Sequence, residues 1–286
     1  NAFPPEANMN IPAKIAGRDY LVIPFDMLPV DDQPVHKKMF WAMGQKIMKA
    51  ARFIKSHEQL FGVYITNFSC GPDSFLVSFF RTVMGPKPSL TLELDQHTAD
   101  AGIDTRIEAA CDIIDGYRRV REEVERPTRS VFRAARVNDE AGFSIVSSFG
   151  TRHALDDKRV EILLPSMGRY GTEAVAAVMR SRGLRARTLP VPDAATLDEG
   201  RKVATGKECL PYILIAGSLM RYVKNRGGSE TVSLLFLPTG GGPCRLGQYW
   251  RAIEELIEKQ KIRNVAVLPM TDENGYGGLG SGALLK

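Results

Sequence analysis

Three of the four cysteines stand at breaks between expected strands and helices, and that placement is where the sequence offers chemistry. Cys70 closes Tyr64-Ile65-Thr66-Asn67-Phe68-Ser69-Cys70 and is followed by Gly71-Pro72-Asp73. Cys209 lies in Gly206-Lys207-Glu208-Cys209-Leu210-Pro211-Tyr212, and Cys244 in Pro238-Thr239-Gly240-Gly241-Gly242-Pro243-Cys244-Arg245. A helix N-terminus favours the thiolate, the form of cysteine that binds metal or attacks an electrophile. Neighbouring Gly and Pro let the backbone approach an inorganic body closely, as they do around iron–sulfur clusters. The competing account of any single free cysteine is a small buried hydrophobe. Cys111, in Glu108-Ala109-Ala110-Cys111-Asp112 with no Gly or Pro beside it, is read that way. The long separations from Cys70 to Cys209 and on to Cys244 match no ferredoxin or zinc-finger spacing, so a joint metal site has to be assembled by folding.

Two further groups carry polar chemistry. Gly240-Gly241-Gly242 follows an expected strand and is a candidate nest for a phosphate, for an acyl-CoA or for the edge of a cluster. No Gly-Lys-Ser/Thr follows it, so it is not a Walker A loop. The stretch from Glu93 to Gly102 leaves a strand for a long helix and offers Asp95 and His97 for acid–base work or as a non-cysteine ligand. Turn and capping chemistry by Thr98, Asp100 and Asp104 is the plainer account of the same stretch. His36, His57 and His153 lie in polar surroundings without a motif and read as surface residues.

The elements that must position these groups alternate short aliphatic or β-branched runs with longer amphipathic ones, the pattern of βαβ units. The fold class expected is α/β, as two Rossmann-like three-layer domains with mostly parallel sheets. The first spans 1–135 and carries the Cys70 loop; the second spans 136–286 and carries the Cys209 and Cys244 loops. Strands are expected at Tyr20 to Pro24, Phe61 to Thr66 and Ser89 to Leu94, with helices from Met39 to Ser56, Asp73 to Met84 and Asp104 to about Glu125. From Arg126 to Asp157 no period is sustained, which reads as a linker with a short hairpin. Strands then recur at Val160 to Pro165, Arg185 to Leu189, Val232 to Leu237 and Val265 to Leu268. The helices between them are expected at Gly171 to Arg182, Asp193 to Ala204, Leu210 to Asn225 and Gln248 to Lys261.

A chain of 286 residues, 44% hydrophobic and 25% charged, has the composition of an ordinary globular protein and excludes wholesale disorder. Its net charge of +5 is scattered among acids, so no nucleic-acid partner is expected. No apolar run is long enough for a membrane span and no secretory signal is evident, so the expectation is a cytoplasmic protein without a membrane partner. Four cysteines are too few for a disulfide scaffold, which fits a reducing compartment. The start on Asn1-Ala2 without Met suggests a piece of a larger protein.

In these same stretches the chain resembles the 2-hydroxyacyl-CoA dehydratase family, in particular the activase-related proteins that carry dehydratase-like modules beside an ATP-dependent activator. The matching runs are Asn67 to Asp73, Leu92 to Gly102 with Thr105 to Glu108, Glu208 to Tyr212 and Thr239 to Arg245, in that order. The resemblance implies a 4Fe–4S cluster held by Cys70, Cys209 and Cys244, with one iron open to substrate, and a cluster of this kind is lost on exposure to oxygen. It further implies an acyl-CoA substrate and, as partner, an ATP-dependent activator domain or other modules of a longer parent chain, because no ATP-binding motif occurs here. Two alternatives stay open: a non-catalytic module that docks an activator, and a zinc-binding structural domain, which needs a fourth ligand.

Overall fold

A computed structural model describes residues 8–36, 39–67, 71–95, 97–123, 132–138, 143–227 and 230–271. The chain is a mixed α/β protein with parallel-strand sheets. It divides into two compact units, Asn1–Arg129 and Ser130–Lys286. Among the described residues no helix is long and apolar enough to cross a membrane.

The first unit runs α1 (Ile11–Ala16), α2 (Ala42–Ser56), β1 (Gly62–Asn67), α3 (Asp73–Met84), β2 (Ser89–Leu94) and α4 (Asp100–Glu123). β1 and β2 pair in parallel from Gly62↔Ser89 to Asn67↔Leu94. The crossover helix α3 is apolar almost all round, with Phe75, Leu76, Phe79, Phe80 and Met84 buried, and it stops at Gly85, whose φ of 60° suits glycine. α4 lays Ile103 and Ile107 against Leu92 of β2 and Ile11 of α1. Lys14 holds α1 to α4 through Asp100 at 2.9 Å and Asp104 at 2.6 Å. The run Tyr20 to Pro24, expected as a strand, is loop. Its Leu21 is 87% exposed, and no described strand pairs with it, so β-branched composition alone does not make a ladder.

The second unit holds β3 (Arg136–Asn138), β4 (Ser144–Val146), β5 (Arg152–His153), β6 (Val160–Leu164), α5 (Arg169–Ser181), β7 (Ala186–Thr188), α6 (Ala194–Arg201), α7 (Leu210–Asn225), β8 (Val232–Thr239), α8 (Tyr249–Lys259) and β9 (Val265–Thr271). The stretch from Arg126 to Asp157, read as a linker with a short hairpin, carries the antiparallel sheet β3-β4-β5, formed of strands two or three residues long. Elements so short leave no periodicity to read.

The main sheet of this unit is parallel throughout, in the order β7-β6-β8-β9. β6 is buried at all five positions, as expected of a strand covered on both faces. On one face Ile162, Leu164, Leu234 and Phe236 pack with Ala176 and Met179 of α5. On the other, Tyr222 of α7 reaches Glu161 at 3.1 Å and Ser233 at 2.9 Å. Glu161, buried in the sheet, also takes Arg187 Nε at 3.1 Å, so its charge is compensated. The strand order reverses between β6 and β8, and the crevice beyond the carboxyl ends of two such strands is where open α/β sheets collect ligands.

α7 sits unusually close to α6. A Cβ on Gly217 would fall 2.0 Å from the Thr196 carbonyl oxygen, and one on Gly200 would fall 2.0 Å from that of Ile213. The two glycines let the helix backbones touch. The N-terminus of α6 is fixed by a capping box between Asp193 and Thr196.

Candidate functional site

β8 ends at Thr239, and Gly240-Gly241-Gly242-Pro243 then turns the chain. Gly242 has φ 133°, a conformation that side chains rarely adopt. Cys244 follows, opening a single 3₁₀ turn, Arg245–Gln248, that runs directly into α8 at Tyr249. Gly247 lies under the loop, where a Cβ would come within 2.9 Å of the Gly240 carbonyl oxygen. The glycines thus bring the end of β8 and the start of α8 together at the carboxyl end of the sheet.

Cys209 reaches the same place from α7. It is the N-cap of that 16-residue helix, with Pro in the first turn and with no hydrogen bond from its own side chain to the first-turn amides. Its sulfur points instead at Tyr249, with Sγ 2.6 Å from the phenol oxygen. Tyr212, one turn into α7, packs its ring edge-on to Tyr249 with centroids 5.5 Å apart, and both rings are buried. Burial pushes the Tyr249 phenol well above its ordinary pKa; the hydrogen bond with Cys209 and the nearby charges of Cys209 and Cys244 push in the same direction, and Arg245 opposes them. The phenol therefore keeps its proton at neutral pH and is the donor toward Cys209 whenever that sulfur is a thiolate. Cys209 is half-buried and Cys244 exposed.

The structure brings Cys209, Cys244 and the loop Gly240 to Gly242 into one neighbourhood around Tyr249. Cys70 lies outside the described residues. Among the described residues no group of three His, Cys, Asp or Glu side chains stands close enough to hold a metal ion. Two of the three candidate cysteines are described, Cys209 at a helix N-terminus beside the Tyr249 hydroxyl and Cys244 at the end of a glycine loop.

Asp95 and His97 belong to the first unit, where Asp95 makes a turn. Its carboxylate accepts from the backbone N–H of His97 at 2.7 Å and from Thr98 Oγ1 at 2.9 Å, while Thr98 Oγ1 in turn accepts from the Asp95 N–H at 2.8 Å. Thr98 and then His97 hold the carboxyl below its usual pKa. This is the turn and capping geometry. Cys111 is half-buried beside the Ile11–Leu92 cluster, and burial raises its thiol pKa, as suits a packing position. His36 and His153, read as surface residues, are buried. His36 packs on Phe79 with ring centroids 5.2 Å apart, and His153 Nδ1 lies 2.9 Å from Asp157. His57 is exposed.

Sequence reasoning missed Tyr249. Its only local signal was its place at the start of the helix that follows the glycine loop.

Fold and site together define a mixed α/β protein whose second unit gathers two free cysteines and a buried tyrosine at the carboxyl end of a parallel sheet. Beyond that class, comparison with known proteins finds no match: no family model, no curated protein and no solved structure matches the chain.

Proposed function

We propose that this chain is a dehydratase-like iron–sulfur module in which Cys209 and Cys244 are ligands of a 4Fe–4S cluster used in the radical dehydration of a 2-hydroxyacyl-CoA. The observation that carries the proposal is the Cys209 sulfur 2.6 Å from the Tyr249 hydroxyl at the start of α8, the helix reached through the turn that Cys244 opens. When bound, the cluster supplies an open iron that acts as a Lewis acid on a hydroxyl or carbonyl oxygen and a store for one electron.

The chain's own residues have separate tasks. The N-terminus of α7 presents the Cys209 sulfur at the carboxyl end of the sheet. Tyr249 donates to that sulfur and fixes its orientation, as partners beyond the ligands do at metal sites. The buried rings of Tyr212 and Tyr249 exclude water from one side of the thiolate. Gly240, Gly241 and Gly242 leave room for the edge of the cluster or for a phosphate of the CoA. In this reading both units are Rossmann-like three-layer domains, the protein works in the reducing cytoplasm, and an ATP-dependent activator delivers the electron. What supports the fold part is the strand order of the second unit and the helices on both faces of its sheet.

Anaerobic reconstitution with iron and sulfide tests the proposal. The expected result is the broad charge-transfer absorbance of a cluster, lost in Cys209→Ala and in Cys244→Ala. A wild-type chain that takes up no cluster leaves a non-catalytic docking module as the better account.

A further inference from the structure

The second unit carries another feature, at its small antiparallel sheet. β3, β4 and β5 pair Arg136 with Val146 and Val146 with Arg152, so the two arginines flank one valine on the same face. The other face, through Ala135, Val137 and Ile145, joins the hydrophobic core. The arginine face lines a cavity of about 880 Å³ closed on its far side by α8, within the range of small-molecule sites. Arg133 and Arg251 also line it, as do Glu254 and Glu258, so its side chains carry a net charge of +2.

Two observations mark this cavity as built for an anion. Arg251 of the cavity wall is matched with Glu254, as Arg159 is with Asp157 and Arg187 with Glu161 elsewhere in the unit. Arg133, Arg136 and Arg152 make no ion pair with any described carboxylate, and like charges on one sheet face cost stability until an anion joins them. The wall is also preformed. The turn from β4 to β5 is pinned to buried Asn264, whose side chain accepts from the Ser148 N–H at 3.0 Å and whose N–H donates to Ser148 Oγ at 2.8 Å. That turn presents Phe149, 64% exposed, with the Arg263 guanidinium over its ring at 5.6 Å.

We infer that this cavity binds a nucleoside diphosphate, with Arg136, Arg152 and Arg133 on the phosphates and the base stacked on Phe149. Planar guanidiniums suit phosphate oxygens, and an exposed aromatic ring suits a base of any sequence. The inference stands apart from the iron–sulfur proposal, since none of these residues belongs to the thiol site.

Isothermal titration of the whole chain with ADP, pyrophosphate and adenosine tests it. ADP is expected to bind at one site and adenosine not at all. The double variant Arg136→Gln/Arg152→Gln, both positions exposed, should lose at least about tenfold in ADP affinity, the loss expected on removing charge-assisted bonds. Phe149→Ala should weaken ADP and leave pyrophosphate unchanged, and Arg201→Gln, exposed elsewhere in the unit, should change neither. No ADP binding, or affinity retained in the double variant, overturns the site. Pyrophosphate binding as tightly as ADP overturns the nucleotide assignment.

Discussion

The contact between α6 and α7 gives the most severe test of how the thiol site is positioned. Gly217→Ala adds one methyl group to a helix, which on intrinsic propensity alone stabilises by about 1 kcal/mol. Here the added Cβ falls 2.0 Å from the Thr196 carbonyl oxygen, where ordinary contact begins at 3.4 Å, so the helices must part by about 1.4 Å. Gly200 meets Ile213 in the same way on the opposite helix, leaving no slack for a compensating shift. Overpacking of this kind costs roughly 1–3 kcal/mol, more where backbone rather than a flexible side chain must move. The net expectation is a loss of about 2 kcal/mol, read as a lower urea midpoint. α7 carries Cys209, so the same displacement pulls the sulfur off Tyr249, and alkylation of Cys209 should quicken. The control is Gly116→Ala in α4, where nothing lies within 4 Å and the same substitution should stabilise by about 0.5–1 kcal/mol. Equal stability of Gly217→Ala and the wild type would refute the close approach and, with it, the account of how α7 is held.

Two other outcomes follow from single contacts. Tyr249→Phe removes the hydroxyl beside Cys209 and should cost about 1 kcal/mol in urea unfolding while leaving the ring packing on Tyr212 intact. Glu199 is held to a pKa of about 2, against an ordinary 4.5, by Lys202 first and then Lys224. Because the folded pKa is the lower one, this carboxylate supports the fold above about pH 4.5, and its contribution is lost as pH falls from there through about 2. Carbon NMR of the Glu199 carboxyl should show that midpoint, and Lys224→Ala should move it upward; a wild-type midpoint at the ordinary value contradicts the pairing.

How much could be read beforehand follows from the length scale of each signal. α7 was legible to the residue, because Cys209 and Pro211 open it and its apolar pattern runs unbroken to Asn225. β6, β8 and β9 were legible as nearly continuous apolar runs, which only a doubly covered sheet tolerates, whereas the edge strand β7 carries Arg187 and Thr188. The strands at 136–138, 144–146 and 152–153 were legible only as a short hairpin within a linker, because two or three residues carry no period, and Arg136 and Arg152 were not singled out. Tyr20 to Pro24 shows the converse error, a strand-like composition with no described strand beside it. Cys209 and Cys244 stood out through their glycine and proline neighbours. Their meeting point did not, since Tyr249 joins Cys209 across 40 positions of sequence and only the folded unit brings them together. His153 was misread because its carboxylate partner, Asp157, comes into reach only where β5 turns toward β6.

The central claim, that Cys209 and Cys244 are ligands of one iron–sulfur cluster, is tested most directly by Mössbauer spectroscopy of the anaerobically reconstituted chain with isotopically enriched iron. The account predicts the quadrupole doublets of one 4Fe–4S cluster per chain, with one iron distinguishable from the other three, and their collapse to adventitious iron in the Cys209→Ala/Cys244→Ala double variant. An unchanged cluster spectrum in that double variant would contradict it.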